Sequence, residues 1–169
     1  MELVELGPLT AETRAELEGG EVDPFDVQGL ALEFRKKERH VALRDPEGRL
    51  VASTGMVLAD VEIAHERAQV VGLGGVLVNH IYRGRGFGRG IVQTALTRAQ
   101  TMGPDFALLF CLTDRVGFYE RLGFSRVPPP VSVEQPTGVT EMPLHTMWYP
   151  LAESAIWPAG PTRLCGLPF

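Results

Sequence analysis

Val70-Val71-Gly72-Leu73-Gly74-Gly75-Val76-Leu77-Val78-Asn79-His80-Ile81-Tyr82-Arg83-Gly84-Arg85-Gly86-Phe87-Gly88-Arg89-Gly90 is the stretch that decides the fold of this chain. Its first nine residues run apolar and glycine-rich without polar alternation, the pattern of a buried strand. Arg83 to Gly90 is a basic glycine loop. Beyond it Ile91, Val92, Ala95, Leu96 and Ala99 recur at helical spacing, so the loop delivers the chain into an amphipathic helix. Strand, glycine loop and helix together make an anion site. Glycines let successive N–H groups turn into one concavity, and the positive end of the helix adds to their pull.

The loop type follows by elimination. A mononucleotide loop ends in Gly-Lys-Ser/Thr, whereas Gly88 is followed by Arg89 and Gly90; a dinucleotide loop wants a small residue three positions after its second glycine, and residue 91 is Ile. What fits is Arg/Gln-x-x-Gly-x-Gly/Ala, filled by Arg83, Gly86 and Gly88. This pattern resembles the acetyl-CoA pyrophosphate loop of the GNAT N-acetyltransferase superfamily. Phe118-Tyr119-Glu120-Arg121-Leu122-Gly123-Phe124, preceded by the strand-like Phe106 to Cys111, is similar to the short helix and turn of that superfamily's other cofactor motif. The two motifs and what lies between them span about residues 70–127.

The resemblance implies a mixed α/β domain with a mostly antiparallel sheet, flanking helices and a central pair of parallel strands that splay apart. Pantetheine would lie in the opening, held by the backbone of Val76, Leu77 and Val78. Backbone amides from Arg83 through Gly84, Arg85, Gly86, Phe87 and Gly88, with Arg89 adding one more, would hold the pyrophosphate of acetyl-CoA. Glycine at 86 and 88 is expected because a side chain would block the diphosphate. Tyr119 stands where the family often places the acid that protonates the CoA sulfur, with a packed aromatic as the bland alternative. Phe118 reads as wall.

Two positions depart from the family pattern. Leu112 stands where many members have Asn, and Gly72 and Gly74 stand where a strand-borne Glu or His base is often found. Proton removal would then fall to another group, with Asp60, Glu62, His65, Glu141 and His145 as candidates. The activity implied is transfer of an acetyl group from acetyl-CoA to a primary amine by direct attack. A non-catalytic acyl-CoA-binding or sensing module is the alternative. The stretch from Cys111 to Phe124 is faintly similar to the aminoglycoside and arylalkylamine branches, and the missing carboxylate counts against aminoglycoside modification.

Composition is that of an ordinary globular domain. The chain has 169 residues, 44% hydrophobic and 22% charged, enough for one domain with one core. Its net charge of −5 argues against a nucleic-acid binder, since such affinity comes from neutralising phosphates. No apolar run reaches membrane-spanning length and the N-terminus lacks signal-peptide character, so the expected location is cytoplasmic. Cys111 and Cys165 are the only cysteines, which makes neither a disulfide framework nor a metal site; Cys111 reads as core rather than nucleophile.

Along the chain, Glu2 to Leu6 alternates as an edge strand, and Thr10 caps a helix that Gly19-Gly20 ends. A second helix is expected from Pro24 or Phe25 through Glu38, with Arg35 to Arg39 as its solvated end and Phe25 and Phe34 near the acceptor. His40–Arg44 and Leu50–Leu58 form a hairpin around Asp45-Pro46-Glu47-Gly48-Arg49. Residues 60–69 read as a polar connection, and 128–143 as an irregular stretch over the acceptor. The final strand is expected at 144–151, with Trp148 or Tyr149 facing either substrate or core. The tail to Phe169 should lie over the body or a partner, which makes a homodimer plausible.

Overall fold

The computed structural model describes all residues, 1–169. Its elements are β1 Glu2–Leu6, α1 Ala11–Glu18, β2 Arg39–Arg44, β3 Leu50–Ile63, β4 Glu66–Val78, α2 Phe87–Ala99, β5 Phe106–Cys111, α3 Val116–Glu120, β6 Ser125–Arg126, β7 Val131–Gln135, β8 Gly138–Glu141, β9 His145–Pro150 and β10 Thr162–Leu164. They form one ten-stranded mixed sheet. Its main path is β6-β9-β5-β4-β3-β10-β7-β8, with β2 joined to β3 and β1 to β2.

The central expectation holds. β4 and β5 are parallel and paired only at Val71 with Ala107 and Gly72 with Leu108, while β4 stays paired with β3 as far as Val78. Beyond Gly72, therefore, the β5-side edge of β4 is open. On the β3 side the register slips between Ser53 and Gly55, where Gly75 takes a φ of +64°. One extra residue on β4 makes a bulge that bends the strand out of the pair.

The sheet separates two apolar layers. On one face Val71 and Leu73 pack with Ile91, Val92, Ala95, Leu96 and Ala99 of α2. On the other Val70, Val57, Leu108, Trp157 and Phe169 gather. The strand period of two puts Val71 and Leu73 on the α2 face and Gly72 and Gly74 on the other.

Three expectations are corrected, and the tail gains a strand. Residues 24–38 are not a helix: only Gln28–Leu30 form a single tight turn. Asp23 accepts from the amides of Val27 and Gln28, Ala31 is left-handed with a φ of 51°, and the chain then runs extended. Its backbone finds tertiary partners instead, Glu33 N–H on Gln135 Oε1 at 2.8 Å and Arg35 N–H on the Pro168 carbonyl. The polar connection at 60–69 shrinks to a two-residue turn, Ala64-His65, with both φ angles positive as the right-handed twist of a hairpin requires. Residues 128–143 contain the β7–β8 hairpin rather than an irregular flap. The tail adds a strand, β10, between β3 and β7. The tail thus lies over the body of its own chain, one of the two placements expected for it.

The β2–β3 turn and the capped α1 stand as expected. Thr10 accepts from the Thr13 amide at 3.1 Å. Asp45 accepts from the amides of Glu47 and Arg49, from Arg49 Nε and from the Tyr82 hydroxyl at 2.6 Å.

Candidate active site

The anion loop is built from two glycines that no other residue replaces without strain. Gly84 and Gly86 have φ of +76° and +83°, the left-handed region that costs a side-chain-bearing residue energy. The chain leaves β4 through a tight turn, His80–Tyr82, whose Asn79 side chain accepts from the Ile81 amide. It then enters α2 at Phe87 with Gly86 as its N-cap, and no side chain caps it. The first amide of this segment to find a carbonyl is that of Gly90, on Gly86. Six consecutive amides, Gly84 to Arg89, donate to nothing in the protein. Helix starts normally recruit a capping side chain; this one leaves its donors free where a diphosphate would need them.

The three arginines of the loop divide. Arg83 turns away from the free amides: its Nε donates to the Val78 carbonyl at 3.0 Å, and its guanidinium pairs with both carboxylate oxygens of Glu21. Arg85 lies over the Tyr82 ring, 5.8 Å from its centroid. Arg89 is exposed and makes no ion pair. The Arg83 side chain is thus a brace rather than a phosphate ligand. Its bond to Val78 also takes one acceptor near the end of the β4 edge.

Gly88 is different in kind from Gly84 and Gly86. A Cβ there would sit 3.5 Å from Val78 Cγ2 and 3.7 Å from Phe118 Cζ, ordinary contact distances. Nothing in the protein demands glycine at 88. The same distances show that the end of β4, the start of α2 and the ring of Phe118 in α3 converge on one point. The two sequence motifs therefore meet.

Tyr119 is 8% exposed and packs edge-on against Phe118 and Phe124, with ring centroids 5.0 and 5.6 Å away. Its hydroxyl makes no hydrogen bond in the protein, so it is not a packed phenol tied to backbone. Burial, more than the neighbouring Cys111, pushes its pKa upward, so it holds its proton. Cys111 is buried and raised to about 11 by desolvation first, which leaves it inert as a nucleophile. Leu112 joins the apolar layer opposite α2, and its side chain offers no hydrogen bond.

None of the proposed substitute bases stands by Gly72 and Gly74. Asp60 and Glu62 lie five and seven residues along β3 from Gly55, the partner of Gly74, so Asp60 is about 17 Å away at strand spacing. Glu62 pairs with Arg163, and His65 sits exposed at the turn. Glu141 is exposed on the edge strand β8, and His145 bonds the Thr113 hydroxyl at 3.0 Å. Trp148 stacks with Phe106 and Trp157, and Tyr149 with Phe124; both serve the core.

What fills the glycine floor is a group that sequence reasoning put elsewhere. A Cβ on Gly72 would lie 2.5 Å from the ring of Phe169, and one on Gly74 2.5 Å from the Phe169 carbonyl carbon and 2.7 Å from Lys37 Cε. A Cβ on Gly55 would lie 2.5 Å from Lys37 Cγ and 2.9 Å from His40 Nε2. Phe169, 4% exposed, and the stem of Lys37 rest directly on side-chain-free backbone. His40 is buried, its Nδ1 against the Gly7 carbonyl at 2.9 Å. Desolvation, then the charges of Lys37 and Arg14, hold its pKa down against that one favourable contact. The sequence did carry a signal for Lys37: from Arg35 to Glu38 half-buried and exposed residues alternate, which a non-helical segment allows.

With this geometry in place, comparison with known proteins gives the class. The sequence profile of the Acetyltransferase (GNAT) domain matches residues 20–127, well over half of the chain, and the chain belongs to that family. Solved structures with the same fold include the GNAT family N-acetyltransferase YhbS from Escherichia coli in complex with CoA, at 18% identity and a TM-score of 0.62 over 99% of this chain and 96% of that one. Escherichia coli ElaA is similar at 18% identity and TM-score 0.58, over 88% of this chain and 98% of that one. N-acetylglutamate synthase from Neisseria gonorrhoeae, complexed with coenzyme A and N-acetyl-glutamate, matches at 15% and 0.60, over 90% of this chain and 36% of that one. No helix here is long and apolar enough to cross a membrane, and no cluster of His, Cys, Asp and Glu could hold a metal ion.

Proposed function

We propose that this chain is a cytoplasmic acetyl-CoA-dependent N-acetyltransferase that moves the acetyl group to a primary amine of a small molecule or peptide by direct attack. The observation that carries the reading is the run of six unpartnered amides, Gly84 to Arg89, beside a strand edge that no other strand covers from Leu73 to Val78 and on which Arg83 takes the Val78 carbonyl. The amides fit a diphosphate, and the backbone of Val76, Leu77 and Val78 fits an extended pantetheine amide chain lying as an extra strand. Acetyl-CoA supplies the activated thioester.

The chain's own residues supply orientation and one proton. The amine lone pair forms the C–N bond at the thioester carbonyl as the C–S bond breaks, with a backbone N–H near Val78 polarising the carbonyl oxygen. The Tyr119 hydroxyl, unbonded at the tip of a buried ring, donates its proton to the departing sulfur. The proton released from nitrogen leaves through water and restores the phenol. A high phenol pKa makes Tyr119 a reluctant donor in the resting protein, and the developing thiolate beside it is what draws the proton over. Calorimetry with CoA tests the binding half. Thiol release with acetyl-CoA and a panel of amines tests the chemistry: binding without turnover on any amine would favour a sensing module of the same fold.

A further inference from the structure

We propose that Lys37 is a modification site of this protein: when no external amine is bound, its Nζ takes the acetyl group from acetyl-CoA held on β4, and the acetamide so formed closes the acceptor side. The proposal rests on the transferase reading above and adds an internal acceptor to that same site.

Amine chemistry singles the residue out. Of the sixteen Lys and Arg in the sequence only two are Lys, the adjacent Lys36 and Lys37, so nearly every side-chain cation is a guanidinium, which stays charged and does not attack a thioester. Lys36 is exposed and Lys37 half-buried. The Lys37 stem runs over two side-chain-free positions, since a Cβ on Gly55 would lie 2.5 Å from its Cγ and one on Gly74 2.7 Å from its Cε. At Gly75, the bulge residue, only Lys37 Nζ at 3.8 Å and Phe25 Cζ at 3.9 Å come within 4 Å of the corresponding point. The amine thus ends in open space. With the pyrophosphate beyond Val78, the thioester end of the arm points back towards Gly75, and a chain lying along that edge runs about 4.8 Å from the β4 backbone. On its flexible four-carbon stem the amine is one side-chain swing from the thioester.

Groups from three elements act on that amine. Burial, then the charge of Arg14 in α1, bring its pKa down to about 8, so about one chain in ten carries the neutral amine at pH 7, against about one in 2,500 for an ordinary lysine. His40 of β2, with Nε2 2.9 Å from the Gly55 point, is held below the usual histidine value and is neutral at that pH. In the tail, the Phe169 main-chain carbon and oxygen lie 2.5 and 2.8 Å from the Gly74 point, beside Lys37 Cε. A negative charge carried there would hold the proton on Nζ more firmly and move the reaction to higher pH; it would leave the amine on the track. The neutral Nζ forms its bond to the thioester carbonyl carbon as the C–S bond breaks, Tyr119 protonates the sulfur, and the proton lost from nitrogen leaves through water. The products are N-acetyl-lysine and free CoA. An amide does not pass its acetyl group to a second amine, so the modified chain is a dead end, with new bulk beside Gly75 and Phe25 where an external amine would stand.

Intact mass and peptide mapping after incubation with acetyl-CoA and no added amine decide the matter, with Lys36 as the internal control in the parent protein. The expected result is one acetyl group per chain on Lys37, thiol released in equal amount, and a rate that is independent of protein concentration and rises with pH up to about 8. Lys36→Arg should keep the label and Lys37→Arg should lose it. Fully labelled protein should transfer to an added amine at least tenfold more slowly than fresh protein, while calorimetry shows CoA still bound. Turnover of added amines with Lys37 left unlabelled would overturn the proposal and leave the transferase standing. So would labelling of Lys36 to the same extent, the mark of plain chemical acetylation, or undiminished transfer by the labelled protein. CoA binding with no thiol release, with or without an amine, would take down the transferase reading and this inference together.

Discussion

The two faces of β4 follow opposite rules. On the α2 side Val71 and Leu73 fill the space between strand and helix with side chains of their own. On the other side Gly72 and Gly74 contribute none, and the space is filled by Phe169 and Lys37, from far along the chain in either direction. The first face is local: strand, loop and helix lie within thirty-odd residues and each piece explains the next. The second is assembled at long range, so its meaning is invisible until the chain has folded. A side-chain-free strand is thus no sign of a missing part. It is a floor shaped for something else.

That contrast breaks most sharply at Gly74. In Gly74→Ala the new methyl meets the Phe169 backbone, which cannot swing aside as a side chain tip can, and the tail must lift. Losing the burial of Phe169 should cost about 3–5 kcal/mol, the scale of a buried Phe→Ala change, read as a drop in the midpoint of denaturant unfolding. Phe169→Ala should reproduce the loss without touching the strand. If Gly74→Ala melts like the parent protein, the tail is not seated on that floor.

Tyr119→Phe comes next. Because the hydroxyl bonds nothing in the protein, unfolding should be nearly unchanged, while turnover falls about 10²-fold, the lower end for general-acid loss. Equal turnover would return Tyr119 to packing alone. Gly88→Ala sharpens the difference between glycines. The methyl fits beside Val78 and Phe118, and alanine favours the helix by up to about 1 kcal/mol over glycine, so stability should hold or rise. CoA affinity should nonetheless fall about tenfold, roughly 1.4 kcal/mol, if the amides on either side of Gly88 hold the diphosphate as proposed. Unaltered heats with CoA would place the diphosphate elsewhere.

The smallest effect belongs to acid. Asp45 is held down at about 2, first by the Tyr82 hydroxyl and then, against the opposing pull of burial, by Arg49. A carboxylate whose folded pKa lies below its ordinary value of 3.8 stabilises the fold above that ordinary value and loses this contribution as pH falls towards 2. Melting curves from pH 5 to pH 2 should show the loss, and Asp45→Asn should flatten that part of the profile.

The parts that could be read in advance share a physical cause. The β4 run, Gly86 before the helix, the periodic Ile91 to Ala99 and the Gly123-Phe124 turn each state their conformation within a few residues, and the family pattern is written in those same residues. Residues 24–38 state nothing of the kind. Apolar Phe25, Leu30, Leu32 and Phe34 mimic a helical stripe, and only distant partners, Gln135 and Pro168, show that the backbone is extended. The turn at Ala64-His65 lacks the Asn-Gly or Gly-Gly that would have announced it, although Val61 and Ile63 kept the strand alternation going. Lys37 was missed for the same reason as its segment: in a helix it would face water, in an extended chain it faces the bulge.

Arg83 gives the molecule a mechanical link whose effect extends to order of addition. One guanidinium is clamped by Glu21, at the start of the segment that leads to Phe25 and Lys37, and anchored on the last carbonyl of β4. The loop proposed for the donor and the segment proposed for the recipient are riveted together there, so a nucleotide that stiffens the loop would stiffen the segment with it. Loading the donor should therefore set the opposite wall in place and favour entry of the recipient second. Dead-end inhibition patterns that fit random entry would show the rivet to be merely structural.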